Sequence, residues 1–260
     1  MSRLTSSHDS FLSPKPRISV CMATYNGEKF VARQLQTILS QLDPGDEIVI
    51  SDDSSTDGTL KVIESFRDSR IRLFAGQSFR SPIYNFENAL RQSRGDVIFL
   101  SDQDDEWIAG WVETALAELR NVNLVVCNAY MIDAEGHSLG RHVDGVRNGI
   151  RRPGLFHNLY HNGYIGCCCA FRREVLDVAL PFPARLPWHD WWIGLVAEVF
   201  FDTKFIQTKM IRYRRHDSNA TPTGEKSKST LGEKISMRWL MMTGLARRAM
   251  HRFSMKYLWK

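Results

Sequence analysis

Short apolar runs alternate with amphipathic stretches through the first half of the chain. Ile18 to Met22, Glu47 to Ser51, Ile71 to Phe74, Val97 to Leu100 and Leu124 to Cys127 read as strands. Between them, Val31, Leu35, Ile38, Leu39 and Leu42 fall on one face at helical spacing. Leu60, Ile63 and Phe66 suggest a shorter helix, with Thr56 or Asp57 as its N-cap. Phe86, Ala89 and Leu90 place a third helix over 85–92, and Val112, Ala115, Leu116 and Leu119 a fourth. Strands and helices in strict alternation predict an α/β fold with a mostly parallel sheet flanked by helices.

Polar residues gather where the predicted strands end. Ala23-Thr24-Tyr25-Asn26-Gly27 follows the first strand, and Asp52-Asp53-Ser54-Ser55-Thr56-Asp57-Gly58-Thr59 the second. Ser101-Asp102-Gln103-Asp104-Asp105-Glu106-Trp107 follows the fourth. Parallel α/β sheets bind ligands at this carboxyl edge. Carboxylates as close as Asp102, Asp104 and Asp105 repel one another unless a cation lies between them. Hard cations such as Mg²⁺ are held by one or two carboxylates, with substrate phosphates completing the shell.

The three motifs, in this order and spacing, resemble those of family 2 glycosyltransferases over residues 17–220. The Asp-Gln-Asp-Asp-x-Trp form resembles the bacterial rhamnosyltransferase-like branch. The resemblance implies a GT-A (Rossmann-like) fold and a nucleotide-diphosphate sugar donor. It implies inverting, metal-dependent transfer to a hydroxyl of a glycan or lipid-linked acceptor in bacterial surface polysaccharide synthesis. The branch favours dTDP-rhamnose as donor, with UDP-sugars next, and Mn²⁺ or Mg²⁺ as cofactor. Ile108-Ala109-Gly110-Trp111 departs from the family, whose members carry a proline and a charged residue there.

Carried onto this chain residue by residue, the resemblance places Thr24 and Tyr25 at the nucleoside. Asp52 then accepts from the base, although an Asp after a strand also serves as a turn cap. Asp104 is the implied metal ligand, Asp105 the reserve, and Asp102 a ribose or neighbouring contact. Asp190, in Leu186-Pro187-Trp188-His189-Asp190-Trp191-Trp192, matches the base that takes the acceptor's proton. A helix N-cap is the alternative for Asp190. Asn162 to Phe171 resembles the glycine-containing strand beneath donor and acceptor, and Tyr213 to Asn219 the loop over the diphosphate. There Arg214, Arg215 and His216 could offset phosphate charge, with Arg80 and Asn85 as further donor-side candidates.

Composition narrows the remaining choices. With 43% hydrophobic and 24% charged residues, the 260-residue chain matches an ordinary globular protein. The Ser- and Pro-containing start has no apolar stretch of a signal peptide, so residues 1–16 are expected to be a flexible lead. Trp191 to Phe201 is the nearest approach to a membrane span, and Glu198 interrupts it. The five cysteines lack CxxC spacing, which fits reduced thiols and a cytoplasmic location.

Residues 221–260 change character: a polar linker to Thr230 precedes a basic amphipathic segment. Ile235, Trp239, Met242, Ala246, Ala249, Phe253 and Tyr257 form one stripe, flanked by Lys234, Arg238, Arg248, Arg252 and Lys256. Such a helix lies on an anionic membrane surface or docks on the catalytic domain. The net charge of +5 raises the alternative of a nucleic-acid-binding protein, but the acidic sheet edge opposes it, and none is expected as partner. A Mg²⁺-dependent sugar-phosphate nucleotidyltransferase would need a basic, glycine-rich loop after the first strand. Ala23 to Gly27 offers one glycine and no Lys or Arg.

Overall fold

The computed structural model describes residues 15–143, 154–217 and 230–258, with side chains to residue 252 in the final helix. Most of the expected lead, most of the expected 221–230 linker and the side chains of Phe253, Lys256 and Tyr257 lie outside the described residues.

Three strand–helix repeats and a fourth strand open the chain. They are β1 (Ile18–Thr24), α1 (Val31–Leu39), β2 (Glu47–Asp52), α2 (Thr59–Ser65), β3 (Ile71–Phe74), α3 (Pro82–Gln92) and β4 (Val97–Asp102). β1, β2 and β4 are buried along almost their whole length, because helices cover both faces of a parallel sheet. Asp57, one residue before the Gly58 cap of α2, accepts from the Thr59 amide at 3.0 Å. Pro82 occupies the first turn of α3, where its missing N–H costs nothing.

The second half supplies β5 (Glu106–Trp107), α4 (Trp111–Glu118), β6 (Leu124–Ile132), β7 (Ser138–His142) and α5 (Leu155–Tyr160). A 3₁₀ turn (Gly166–Cys168) leads into β8 (Cys169–Arg172), α6 (Arg173–Ala179), α7 (His189–Phe200), β9 (Thr203–Arg214) and α8 (Leu231–Leu258). Across the sheet the order is β3-β2-β1-β4-β8-β6-β9-β5, with β7 on β6. β1 to β4, β6 and β9 share one direction among the described residues, as the expected mostly parallel sheet requires. β5, β7 and β8 run against them, so the second half is mixed. At Gly110 the chain takes a left-handed turn (φ +87°), which is how the departing Ile108–Trp111 segment starts α4 without a proline.

The strand order reverses beside β1: β2 and β3 lie to one side and β4 to the other. This is the switch point where open α/β sheets form a ligand crevice. Register brings the motif residues side by side there, with Thr24 opposite Asp52 and Ala23 opposite Asp102.

The C-terminal helix is docked, though not through the stripe the pattern suggests. Among its described side chains Met241 and Leu245 are the buried ones, and Gly244 lies against Trp192 of α7 so closely that a Cβ there would stand 2.9 Å from the indole. Arg238 donates to the Tyr160 carbonyl, Arg248 to that of Pro181, and Arg252 covers the rings of Phe200 and Phe201. The basic flank therefore clamps the helix to the domain.

Candidate active site at the carboxyl edge of the sheet

The crevice at the switch point is braced by a small set of polar side chains. Gln103, between the acidic residues, exchanges two hydrogen bonds with the Tyr25 backbone: its Oε1 accepts at 2.9 Å and its Nε2 donates at 3.0 Å. The β1 and β4 ends are thereby tied together, while the Tyr25 ring stays well exposed at 57%. Gln34 of α1 is buried and donates to Ser101 Oγ and the Asp102 carbonyl, fixing the strand end from below.

Thr24 and Asp52 are fully buried. Thr24 Oγ1 donates to Asp52 at 2.7 Å, and Ser55 donates to the same carboxylate through its amide and its hydroxyl. The pair thus braces the floor and presents no open ligand surface, which is the turn-cap alternative at work. Asp53 accepts from the amides of Phe79, Arg80 and Ser81, shaping the loop before α3. Arg80 itself is exposed with a left-handed backbone (φ +50°). Asn85 is buried and donates to the Thr24 carbonyl at 3.0 Å, so it too belongs to the frame.

Around the acidic turn the side chains divide into two layers. Asp105 is buried below, with Oδ1 accepting from the Arg214 amide at 2.8 Å and Oδ2 without a hydrogen-bond partner. One donor atom each of Asp102, Asp105 and Cys167 lies within 4.8 Å of the others. Above them, Asp104 Oδ2 meets His216 Nε2 at 2.8 Å, and the imidazole stacks on Phe30 with centroids 4.7 Å apart. Burial, then the charges of Asp104 and Asp190, push the Asp102 carboxyl up to about 8, eased by a hydrogen bond from Cys167. Burial and the charges of Asp104 and Asp102 likewise push Asp105 well above the usual carboxylate range. A cluster that resists ionisation in this way is one that a divalent cation would neutralise. The orphaned Asp105 oxygen and the carboxylate–imidazole pair at Asp104 both fit Mg²⁺ or Mn²⁺.

Arg214 departs from the expectation that it faces the diphosphate. Its guanidinium donates to the carbonyls of Asp104, Asp133 and Ala134 and to Glu106 Oε1, all at 2.8–3.0 Å, and it covers the Phe30 ring. Four acceptors in a buried setting leave the fork committed to holding the acidic turn against β9. Arg215, one residue on, is only half-buried, and its amide donates to the Ile132 carbonyl.

Asp190 sits in the first turn of α7, where Trp188 is the N-cap. Its Oδ1 accepts from the Trp191 amide at 2.7 Å and its Oδ2 from Gly166 at 3.1 Å. The carboxylate therefore reaches across to the 3₁₀ turn, near enough to Asp102 for their charges to interact. Trp191 and Trp192 anchor the helix by donating to the carbonyls of Asn158 and Ala179. His189 is buried, stacks on Phe86 with centroids 4.1 Å apart, and is held toward its neutral form by burial against the opposing pull of Asp190. Trp107 packs in the core against Phe99.

Gln103, Gln34 and Phe30 are contributors that the sequence did not single out. Only Gln103 carried a signal, its place inside the acidic motif. The five cysteines are all buried and none forms a disulfide, and no described helix is long and apolar enough to cross a membrane.

Comparison with known proteins agrees with this geometry. Glycosyl transferase family 2 matches residues 19–179. The dTDP-rhamnosyl transferase RfbG of Shigella flexneri is 28% identical over 219 residues, covering 76% of this chain and 72% of its own. The UDP-Glc:alpha-D-GlcNAc-diphosphoundecaprenol beta-1,3-glucosyltransferase WfgD of Escherichia coli is 27% identical, over 65% of this chain and 64% of its own. A GalNAc(5)-diNAcBac-PP-undecaprenol beta-1,3-glucosyltransferase of Campylobacter jejuni is 30% identical over 47% of this chain, which spans only 40% of that relative. Among solved structures, S. aureus TarS 1–349 with UDP-GlcNAc superposes with a TM-score of 0.70 at 18% identity, over 88% of this chain and 66% of that one. The mannosyltransferase PcManGT of Pyrobaculum calidifontis, with GDP-Man and Mn²⁺, gives 0.56 at 23% identity, over 74% and 55%. These structures share the GT-A fold. The family match extends over more than half of the sequence and includes all three strand-end motifs, and the chain belongs to glycosyl transferase family 2.

Proposed function

We propose that this glycosyltransferase moves a sugar, with inversion, from a nucleoside-diphosphate donor to a hydroxyl of a glycan or lipid-linked acceptor in bacterial surface polysaccharide synthesis. The observation that carries the reading is the meeting of Asp102, Asp104 and Asp190 at one sheet edge with His216 beside them. dTDP-rhamnose or a UDP-sugar is the proposed donor, in line with the names of RfbG and WfgD. A diphosphoundecaprenol-linked acceptor would place the protein in the cytoplasm, at the inner face of the membrane, with residues 231–260 in peripheral contact.

Each residue then has a task set by its surroundings. The exposed Tyr25 ring offers a stacking face to the base, while Thr24, Asp52 and Asn85 hold that ring's loop in place from beneath. The exposed Arg80 and the half-buried Arg215 are the proposed cations for phosphate. Asp104, with His216, would hold Mn²⁺ or Mg²⁺, and Asp102 and Asp105 complete the negative field around it. A divalent ion there supplies Lewis-acid stabilisation of charge on the departing diphosphate. Asp190 accepts the proton of the acceptor hydroxyl as its oxygen bonds to the anomeric carbon and the bond to the diphosphate breaks. The Gly166 and Trp191 amides keep that carboxylate aimed.

The test is melting temperature with dTDP, UDP, GDP and CDP, each with Mn²⁺ and with EDTA. Stabilisation by dTDP or UDP that needs the metal supports the reading. Equal stabilisation by all four, or none, overturns it.

A further inference from the structure

Two faces of α8 are apolar, and only one is covered. Met241 and Leu245 dock on the domain at Gly244 and Trp192, whereas Leu231, Ile235, Trp239 and Met242 recur at i, i+4, i+8 and i+11 on another face. Ile235 is 60% exposed and Trp239 66%. α5 extends this face, because Arg238 donates to the Tyr160 carbonyl at 2.7 Å and its guanidinium covers the Tyr160 ring. Tyr160 is 67% exposed and Phe156 85%. The result is a continuous ridge of six large apolar side chains from two helices.

Charge decides what meets it. Residues 231–260 carry seven Lys and Arg against one Glu, which accounts for the whole positive excess of a chain with net charge +5. Two copies placed ridge to ridge would bring these cationic helices together, which Coulomb repulsion opposes. A nucleic acid would match the charge but not Ile235, Trp239 and Leu231. A bilayer containing anionic lipid matches both, with the ridge in the acyl boundary and the cations not spent on the domain, such as Lys234 and the exposed Arg247, toward the headgroups.

We infer that the Phe156–Tyr160 and Leu231–Met242 ridge is the surface by which this protein sits on an anionic membrane. α8 packs on Trp192, two residues after Asp190 on α7, so one rigid helix pair joins the lipid-facing surface to the acceptor side of the site. The inference deepens the proposed use of a lipid-linked acceptor and names the partner as the bilayer itself.

The experiment uses the full chain, phosphatidylcholine vesicles with and without about one-third phosphatidylglycerol, and co-sedimentation at rising salt. The wild type should bind the anionic vesicles and release as salt screens the attraction over a Debye length of about 8 Å. Trp239→Glu and Phe156→Glu, both at well-exposed positions, should each weaken binding roughly tenfold or more. Both should keep the wild-type melting temperature and the wild-type transfer to a soluble acceptor. Brominated lipid should quench the wild type more than Trp239→Phe. Vesicle binding unchanged in both variants, no binding by the wild type, or a dimer that Trp239→Glu dissociates would each overturn the inference. Vesicle binding needs neither donor nor metal, so its failure stands apart from failure of the transferase reading.

Discussion

His216 and Asp104 face each other at 2.8 Å although 112 residues of chain separate them. The contact exists because β9 ends beside the acidic turn, where Arg214 is bound to the carbonyls of Asp104, Asp133 and Ala134. Phe30 of the first loop holds the imidazole by stacking. The carboxylate and the imidazole thus form a pair that neither segment could make alone, and in the proposed reading this pair would hold the divalent ion.

His216→Ala should therefore weaken Mn²⁺ binding at least roughly tenfold, on the scale seen when supporting groups of metal sites are removed. Asp104→Ala should abolish it. Isothermal calorimetry with Mn²⁺ and UDP or dTDP measures both, and circular dichroism should show the fold retained. Equal metal affinity in His216→Ala and wild type would remove the imidazole from the site.

Arg214 yields a different kind of prediction, since its guanidinium is engaged within the protein. Arg214→Ala strips four acceptors of their donor and leaves Glu106 buried beside the more exposed Arg33 and Arg212. Loss of one partner of a buried pair costs about 3–5 kcal/mol. A fall in melting temperature should thus accompany any loss of activity. Arg214→Lys keeps the charge but not the fork, and should fall between the two. Full stability in Arg214→Ala, with only donor affinity reduced, would return this residue to the phosphate.

Glu47 governs part of the acid stability. Burial works to raise its carboxyl, but hydrogen bonds from Ser19, Arg72 and the Arg94 amide outweigh that and hold it below its ordinary 4.5. A folded value below the unfolded one means a contribution that is complete above the unfolded value and is lost as pH falls through the folded one. Glu47→Gln should lower stability at neutral pH by about 1–3 kcal/mol and flatten the decline below pH 4.5, measured by urea unfolding across pH. Parallel wild-type and variant profiles would contradict this.

The first half of the fold was legible because β1, β2 and β4 are buried on both faces and its helices carry one apolar side. Runs such as Val97 to Leu100 and spacings such as Val31, Leu35 and Ile38 follow directly from that burial. The mixed second half was not, since the two-residue β5 pairs with β9 more than a hundred positions later and leaves no local pattern. Among site residues, the strand-end motifs gave the location but not the layers. Which of Thr24, Asp52, Asn85 and Arg214 would be enclosed depends on contacts such as Asn85 to Thr24 and Arg214 to Asp133 and Glu106 that only folding makes. The tail was half legible. Its amphipathic helix is present, but the docked face was chosen by Gly244 against Trp192, a fit of shape that periodicity does not encode.

Asp190 carries the sharpest test of mechanism. Its carboxylate is held by two backbone amides, Trp191 and Gly166, and its helix is anchored independently through the Trp191 and Trp192 indoles. Asp190→Asn keeps one carbonyl oxygen as acceptor and the same shape, so the first turn of α7 and the Gly166 turn should remain in place. What is lost is the ability to take up a proton from the acceptor hydroxyl. Transfer should drop by roughly 10²–10⁴-fold while donor and Mn²⁺ affinities stay at wild-type levels. Single-turnover kinetics with a matched acceptor separate the two effects. If turnover survives in Asp190→Asn and melting temperature falls instead, the carboxylate serves only to tie α7 to the Gly166 turn, and the proton must leave by another group.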